Sequence, residues 1–475
     1  MIKVPISLEE SYFHRLYQDV SKGHVDDVFN NIHLTNVHFQ TKFVRYFKNR
    51  EEVRDKILCL SNNESSPLLL VACHGYFALV EMLIDIGLNV NICDGEGRTP
   101  LYFASYGGYR DITDLLLKNH ANAKICDKKK RSPLCIASAR GFTEVVVRFL
   151  KHGAMNISTA NCVSPLYIAT IFGNTDIVKL YLENEFDPNV QTTHKQTPIY
   201  AACYFNHVDI VRLLLNANCD TDVCSHSSKS PLFVACKYGN TSVVDLLLDN
   251  GSDPDICDIG ADRTNEYVSN SNDVMKIILF DNYDTPLKDV PAFIDNPTEV
   301  DSKLSADIDR VFLEKYKYES PLFTASYMGY FDIVKLLLDH HCNPNLGNNF
   351  EESPVYIAVK HGHTEIVELL LKNKADPNLC NKDCVCPLLQ TVSGCTQINP
   401  SLFENMLNPD SNKSDSLFIQ HPQTRLKTVK LLLQNNADPN LCNKYCETPL
   451  FAASEKGIMD IVDALLTYNA DQKYV

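Results

Sequence analysis

The chain has 475 residues, room for about three ordinary globular domains, and its 45% apolar and 22% charged residues exclude a disordered composition. The formal net charge of −15 repels phosphate backbones, so sequence-independent nucleic-acid binding is not expected. No apolar run approaches the roughly 20 residues needed to cross a bilayer, and Met1 to Glu10 lacks a basic start followed by an apolar stretch, so neither membrane insertion nor secretion is expected. The cytoplasm is the expected location, with the nucleus as a second possibility. Eighteen cysteines are too dilute for a disulfide scaffold, and free thiols are the default.

Along the chain, residues 1–61 read as a polar, degenerate capping unit over Leu16 to Phe29, followed by extra residues around 35–62. A regular pattern then sets in. A Ser/Thr/Cys-Pro-apolar signature begins at Pro67 and returns at Pro100, Pro133, Pro165, Pro198 and Pro231, spaced 32 or 33 residues apart, and again at Pro321, Pro354, Pro387 and Pro449. Eight residues after each Pro stands Gly75, Gly108, Gly141, Gly173, Gly239, Gly329, Gly362 or Gly457, with Asn206 and Cys395 as the exceptions. An apolar run such as Ile333 to Leu338 follows, and Asp-Pro-Asn or a variant closes the unit, as at Asp376-Pro377-Asn378.

Each part has a mechanical reading. Ser or Thr before Pro suits an N-cap with Pro at the first helical position. The Gly or Asn tolerates a left-handed backbone and ends that short helix. The apolar run buries one stripe of a second helix, and the Asp/Asn-rich segment turns the chain toward the next unit. One unit cannot bury its own apolar face, so neighbours must stack. Residues 62–258 hold six regular units. Residues 259–316 are read as a degenerate repeat, carried by Asp273 to Phe280, plus an acidic loop at about 290–316. Residues 317–475 are read as three repeats, with an insertion at about 396–423 in the penultimate one.

The period of 33 and strings such as Thr99-Pro100-Leu101-Tyr102-Phe103-Ala104 and Gly362-His363-Thr364-Glu365-Ile366-Val367 resemble ankyrin repeats over about residues 62–472. The resemblance implies an all-α solenoid of stacked helix-turn-helix units with short β-hairpin loops. It also implies that Asn189, Asn345, Asn378 and Asn440 are candidates for hydroxylation. Where the family has His after Pro-Leu, this chain has residues such as Tyr102, Tyr167, Phe233 and Tyr356. Apolar packing or a Tyr hydroxyl is expected to replace the usual imidazole bond.

No phosphate loop, nucleophile elbow, zinc helix or kinase signature occurs in the sequence, so no catalytic residue, cofactor or metal is assigned. Cys380, Cys384, Cys386, Cys442 and Cys446 come nearest to a metal set, but their spacing is not that of a zinc site. Cys93, Cys126, Cys224, Cys257, Cys380 and Cys442 hold nearly the same place in successive loop segments and read as small packing residues. Function is therefore expected on a surface. The two residues before each turn Gly fall on the inner side of the first helices, and there Tyr106, Phe172, Tyr204, Phe205, Tyr238, Tyr327 and Met328 would make a concave aromatic stripe. Such residues are enriched at interface centres. The competing reading is that they pack on the neighbouring repeat. The expectation is a monomeric, non-enzymatic scaffold or adaptor for protein or peptide partners. The alternative is a substrate-recognition adaptor of a ubiquitin ligase complex.

Overall fold

The computed structural model describes residues 66–153, 163–192, 195–225, 229–256, 319–394 and 422–472, which carry twenty α-helices and no strand. They fall into two compact units, Met1–Thr193 with Arg212–Cys219, and His194–Val211 with Asp220–Val475. In the first unit the helices are α1 (Pro67–Cys73), α2 (Phe77–Ile86), α3 (Pro100–Tyr106), α4 (Arg110–Lys118), α5 (Pro133–Ala139), α6 (Thr143–Lys151), α7 (Pro165–Ile171) and α8 (Thr175–Glu183). The second holds α9 (Pro198–Tyr204), α11 (Pro231–Lys237), α12 (Thr241–Asp249), α13 (Pro321–Met328), α14 (Phe331–Asp339), α15 (Pro354–His361), α16 (Thr364–Lys372), α17 (Pro387–Ser393), α18 (Pro422–Gln434), α19 (Pro449–Glu455) and α20 (Met459–Thr467). The boundary between the units runs through α10 (Val208–Asn216).

The first helix of each pair starts where the sequence places it. Thr99 Oγ1 accepts from the Tyr102 amide at 3.1 Å and Ser320 Oγ from the Phe323 amide at 3.0 Å, each satisfying one orphan donor of the first turn. Cys386 does the same with Sγ, accepting from the Leu389 amide at 3.4 Å. These helices end in a left-handed residue, as at Gly329 (φ 79°), Gly362 (φ 78°) and Asn206 (φ 57°). The second helix then buries a stripe, for example Ile333, Val334, Leu337 and Leu338 of α14.

Within the first unit α1, α3, α5 and α7 pack in sequence, with α2, α4, α6 and α8 forming the other layer; in the second, α9, α11, α13, α15, α17 and α19 pack in sequence, backed by α12, α14, α16, α18 and α20. The residue two after each signature Pro fills the space between neighbours. Tyr102, Tyr167, Phe233 and Phe323 are 4%, 4%, 1% and 0% exposed. At Tyr356 the hydroxyl is also used: it donates to Gln390 Oε1 at 2.9 Å and accepts from Asn381 Nδ2 at 3.1 Å, both in the next repeat. Burying such a ring contributes about 1.5–3 kcal/mol, so packing takes over from the family's imidazole bond.

The loops differ from the expected β-hairpins. The tips are closed by two backbone bonds within one turn, such as Asp94 N–H to Arg98 O at 3.1 Å and Gly97 N–H to Asp94 O at 3.0 Å, and otherwise by side chains, so no ladder long enough for a strand develops among the described residues. The side-chain bonds form a ladder of their own. Asp376 Oδ1 accepts from the Asn378 amide (2.8 Å), and Asn378 Oδ1 accepts from the Asp438 amide of the next loop (2.8 Å). Asn91 to Asn122, Asp222 to Asp253, Asn345 to Asp376 and Asn440 to Asp471 repeat the second bond. Asn345, Asn378 and Asn440 thus hold adjacent repeats in register.

Residues 1–61, the segment read as a degenerate repeat with an acidic loop at 259–316, and most of the 396–423 insertion lie outside the described residues. On either side of 257–318, α11 packs directly on α13 and α12 on α14, and the Asn343 amide reaches Asp255 Oδ1 at 2.9 Å. The two pairs are immediate neighbours. Residues 317–475, read as three repeats, contain four helix pairs. The third, α17 with α18, is interrupted by residues 395–421, which separates its two helices in sequence but not in space.

Candidate protein-binding face

Each first helix buries its opening five or so residues and presents its last turn at the surface. In the first unit, Tyr106 closes α3 and is half-buried, and the Arg140 guanidinium of the next repeat lies 4.3 Å above its ring. Arg140 also reaches the Phe142 ring at 5.5 Å. Phe172, the C-cap of α7, is half-buried.

The second unit holds the denser group. Tyr204 and Tyr238 meet edge to face with centroids 4.7 Å apart, and Phe205 packs edge-on against Tyr204 at 4.8 Å. Both tyrosines rest on a buried floor of Tyr200, Phe233 and Val234. Tyr327 packs against His361 at 4.5 Å, and burial pushes its phenol above the ordinary range. Met328 is half-buried at the end of α13. All seven residues of the expected stripe are half-buried. The structure brings together Tyr204, Phe205 and Tyr238. The competing reading is present in the same contact, since Tyr204 leans on the next repeat's Tyr238.

Sequence reasoning missed the residue directly after the turn Gly. Tyr109 lies on Gly75, Phe142 on Gly108, Tyr330 on Gly239 and His363 on Gly329. Where it is polar it caps the preceding first helix: Asn174 Nδ2 donates to Ser138 O (2.6 Å), Asn240 Nδ2 to Cys203 O (2.7 Å), and His363 Nε2 pairs with Tyr327 O at 3.1 Å. Burial lowers the His363 pKa, while the bond to Tyr327 opposes that shift. A planar side chain one residue after every turn Gly except Gly457, which Ile458 follows, was the signal in the sequence.

At the loop tips Lys128 pairs with Glu96 at 3.5 Å and Lys444 with Asp383 at 2.7 Å, while Tyr445 is 70% exposed. A recess of about 500 Å³ in the second unit is lined by turn and second-helix residues such as Phe331, Thr364 and Lys427, and by none of the seven. Among the described residues no group of three His, Cys, Asp or Glu side chains could hold a metal ion. No described helix is long and apolar enough to cross a membrane. Among the described residues thirteen cysteines are free thiols. Cys126 departs from that expectation: it is disulfide-bonded.

A family profile described as ankyrin repeats (3 copies) matches residues 36–127, 108–192, 166–258 and 269–381, and one described as ankyrin repeats (many copies) matches 417–466. No curated protein matches significantly. Similar solved structures include the ankyrin repeat domain of human ASB11, at 28% identity over 40% of this chain and 85% of that one, with a TM-score of 0.37. An ankyrin repeat domain from Acinetobacter baumannii AYE is 18% identical over 58% of this chain and 98% of its own, with a TM-score of 0.38. The ankyrin repeat domain of Bcl-3 is 19% identical over 62% and 94%, also with a TM-score of 0.38.

Proposed function

Because the chain belongs to the ankyrin-repeat family, whose repeats serve protein–protein interaction, we propose that it is a non-enzymatic scaffold or adaptor that binds a protein or peptide through the open side of its first helices. The observation that carries this reading is the supported aromatic group Tyr204, Phe205 and Tyr238. Rings fixed from below by Tyr200, Phe233 and Val234 lose little freedom on binding, and such pre-ordered aromatics dominate interface energetics. Tyr327 with Met328 would extend the contact in the second unit, and Tyr106 and Phe172 would be contact residues of the first.

The test compares the wild type with Tyr204→Ala plus Tyr238→Ala in affinity purification with quantitative mass spectrometry, alongside thermal melting. The expected result is a partner lost by the double variant, with a melting point lowered far less than by Phe233→Ala. Equal partner recovery with a core-sized drop in melting temperature would assign the rings to packing. Recovery of cullin subunits with the wild type would favour the ubiquitin-ligase adaptor over a simple scaffold.

A further inference from the structure

In six of the described loops the residue six places before the signature Pro donates its amide to the carbonyl of the residue two places before that Pro. The Asn381 amide donates to Val385 O at 3.1 Å, and the Val385 amide donates back to Asn381 Oδ1 at 2.9 Å. The next residues outward, Cys380 and Cys386, therefore face each other across the base of the tip. A disulfide joins residues whose Cα atoms lie about 4.4–6.8 Å apart, and these two cysteines flank the same closing bond from opposite sides of the loop base. The same register places Cys93 opposite Thr99, Cys224 opposite Ser230 and Cys442 opposite Thr448, each over a single backbone bond at 3.1, 3.1 and 3.2 Å. Among the described residues only this loop has sulfur on both sides, because Cys386 stands where the other repeats have the Ser or Thr cap.

We propose that Cys380 and Cys386 are an oxidation site, at which a hydroperoxide oxidises Cys380 and Cys386 then closes the disulfide. The two thiols have distinct roles. Cys380 is half-buried and reachable, whereas Cys386 is 1% exposed. The Cys386 S–H donates to Cys380, which holds the Cys380 thiol below its ordinary range, and the same bond together with burial pushes Cys386 up. The Cys380 thiolate attacks one peroxide oxygen; the O–O bond breaks, hydroxide or alkoxide leaves, and sulfur is oxidised to a sulfenic acid as the peroxide is reduced. The Cys386 sulfur then attacks the Cys380 sulfur. The S–S bond forms as S–O breaks, and the departing hydroxide takes the Cys386 proton as water.

The experiment treats the full chain with graded hydrogen peroxide, alkylates the remaining thiols and digests it with trypsin without reductant. The expected product joins Ala375–Lys382 to the peptide beginning at Asp383, with fragmentation placing the bond on Cys386, at doses that leave the exposed Cys442 and Cys446 free. In Cys386→Ser, which installs the cap used at Ser132 and Ser320, dimedone should trap about tenfold more sulfenic acid at Cys380 than in the wild type. Circular dichroism checks that this variant is folded. Absence of the crosslink, a bond to Cys384 instead, or equal dimedone labelling of Cys380 in both proteins overturns the proposal.

Discussion

A Cβ added at Gly329 would lie 2.6 Å from the His363 ring, on a backbone at φ +79°. His363 cannot swing away freely, because its Nε2 is tied to Tyr327 O. At Gly457 the backbone is also left-handed (φ +64°), but nothing lies within 4 Å. Both Gly→Ala variants incur the left-handed penalty of about 1–2 kcal/mol, and Gly329→Ala adds a clash across two repeats. Gly329→Ala should therefore lose at least about 1 kcal/mol more than Gly457→Ala in urea unfolding; equal losses would show that the ring is not held. At this scale the sequence was partly readable. The glycines and the Ser/Thr caps announce themselves within four residues of chain. The contact of His363 with Gly329 joins residues one period apart, and no local preference encodes it.

The loops show the same limit one level up. The turn residues Asp376, Pro377 and Asn378 were legible as a turn, but the bond from Asn378 to the Asp438 amide spans two repeats' worth of sequence and needed the stacking to appear. The aromatic face was legible as positions, while the edge-to-face meeting of Tyr204 and Tyr238 was not, since ring orientation depends on the floor beneath. In the ladder two rungs carry carboxylates where others carry Asn. Asp255 is one, and burial first, then the neighbouring Asp253, raises its pKa, against the lowering effect of the Asn343 amide. A carboxyl with a raised folded-state pKa costs stability above that pKa, and the cost disappears below the unfolded value near 3.9. Asp255→Asn keeps the acceptor and removes the charge. It should raise the denaturation midpoint at pH 7, with the gain shrinking to nothing as the pH falls through the carboxylate range; a gain unchanged at low pH would point to another cause.

For the whole molecule, the 33-residue spacing was enough to give an all-α stack, and the departures from it marked where the chain leaves the pattern. What spacing did not show is which helix pairs become neighbours across a departure. The pair α11–α12 meets α13–α14 directly, with Asp255 bonded to Asn343 across the join. A deletion within 257–318 that restores the 33-residue spacing should thus leave the described helices folded and the melting temperature within a few degrees of wild type. A collapse in helicity would show that these residues supply part of the core.

That adjacency also separates two kinds of selection. Substitutions at the join between Ile256 and Glu319 must respect a fixed mating surface, whereas the length of what connects those two points is set by other demands. The join is accordingly a natural place to graft a reporter or a foreign peptide without touching the mated helices.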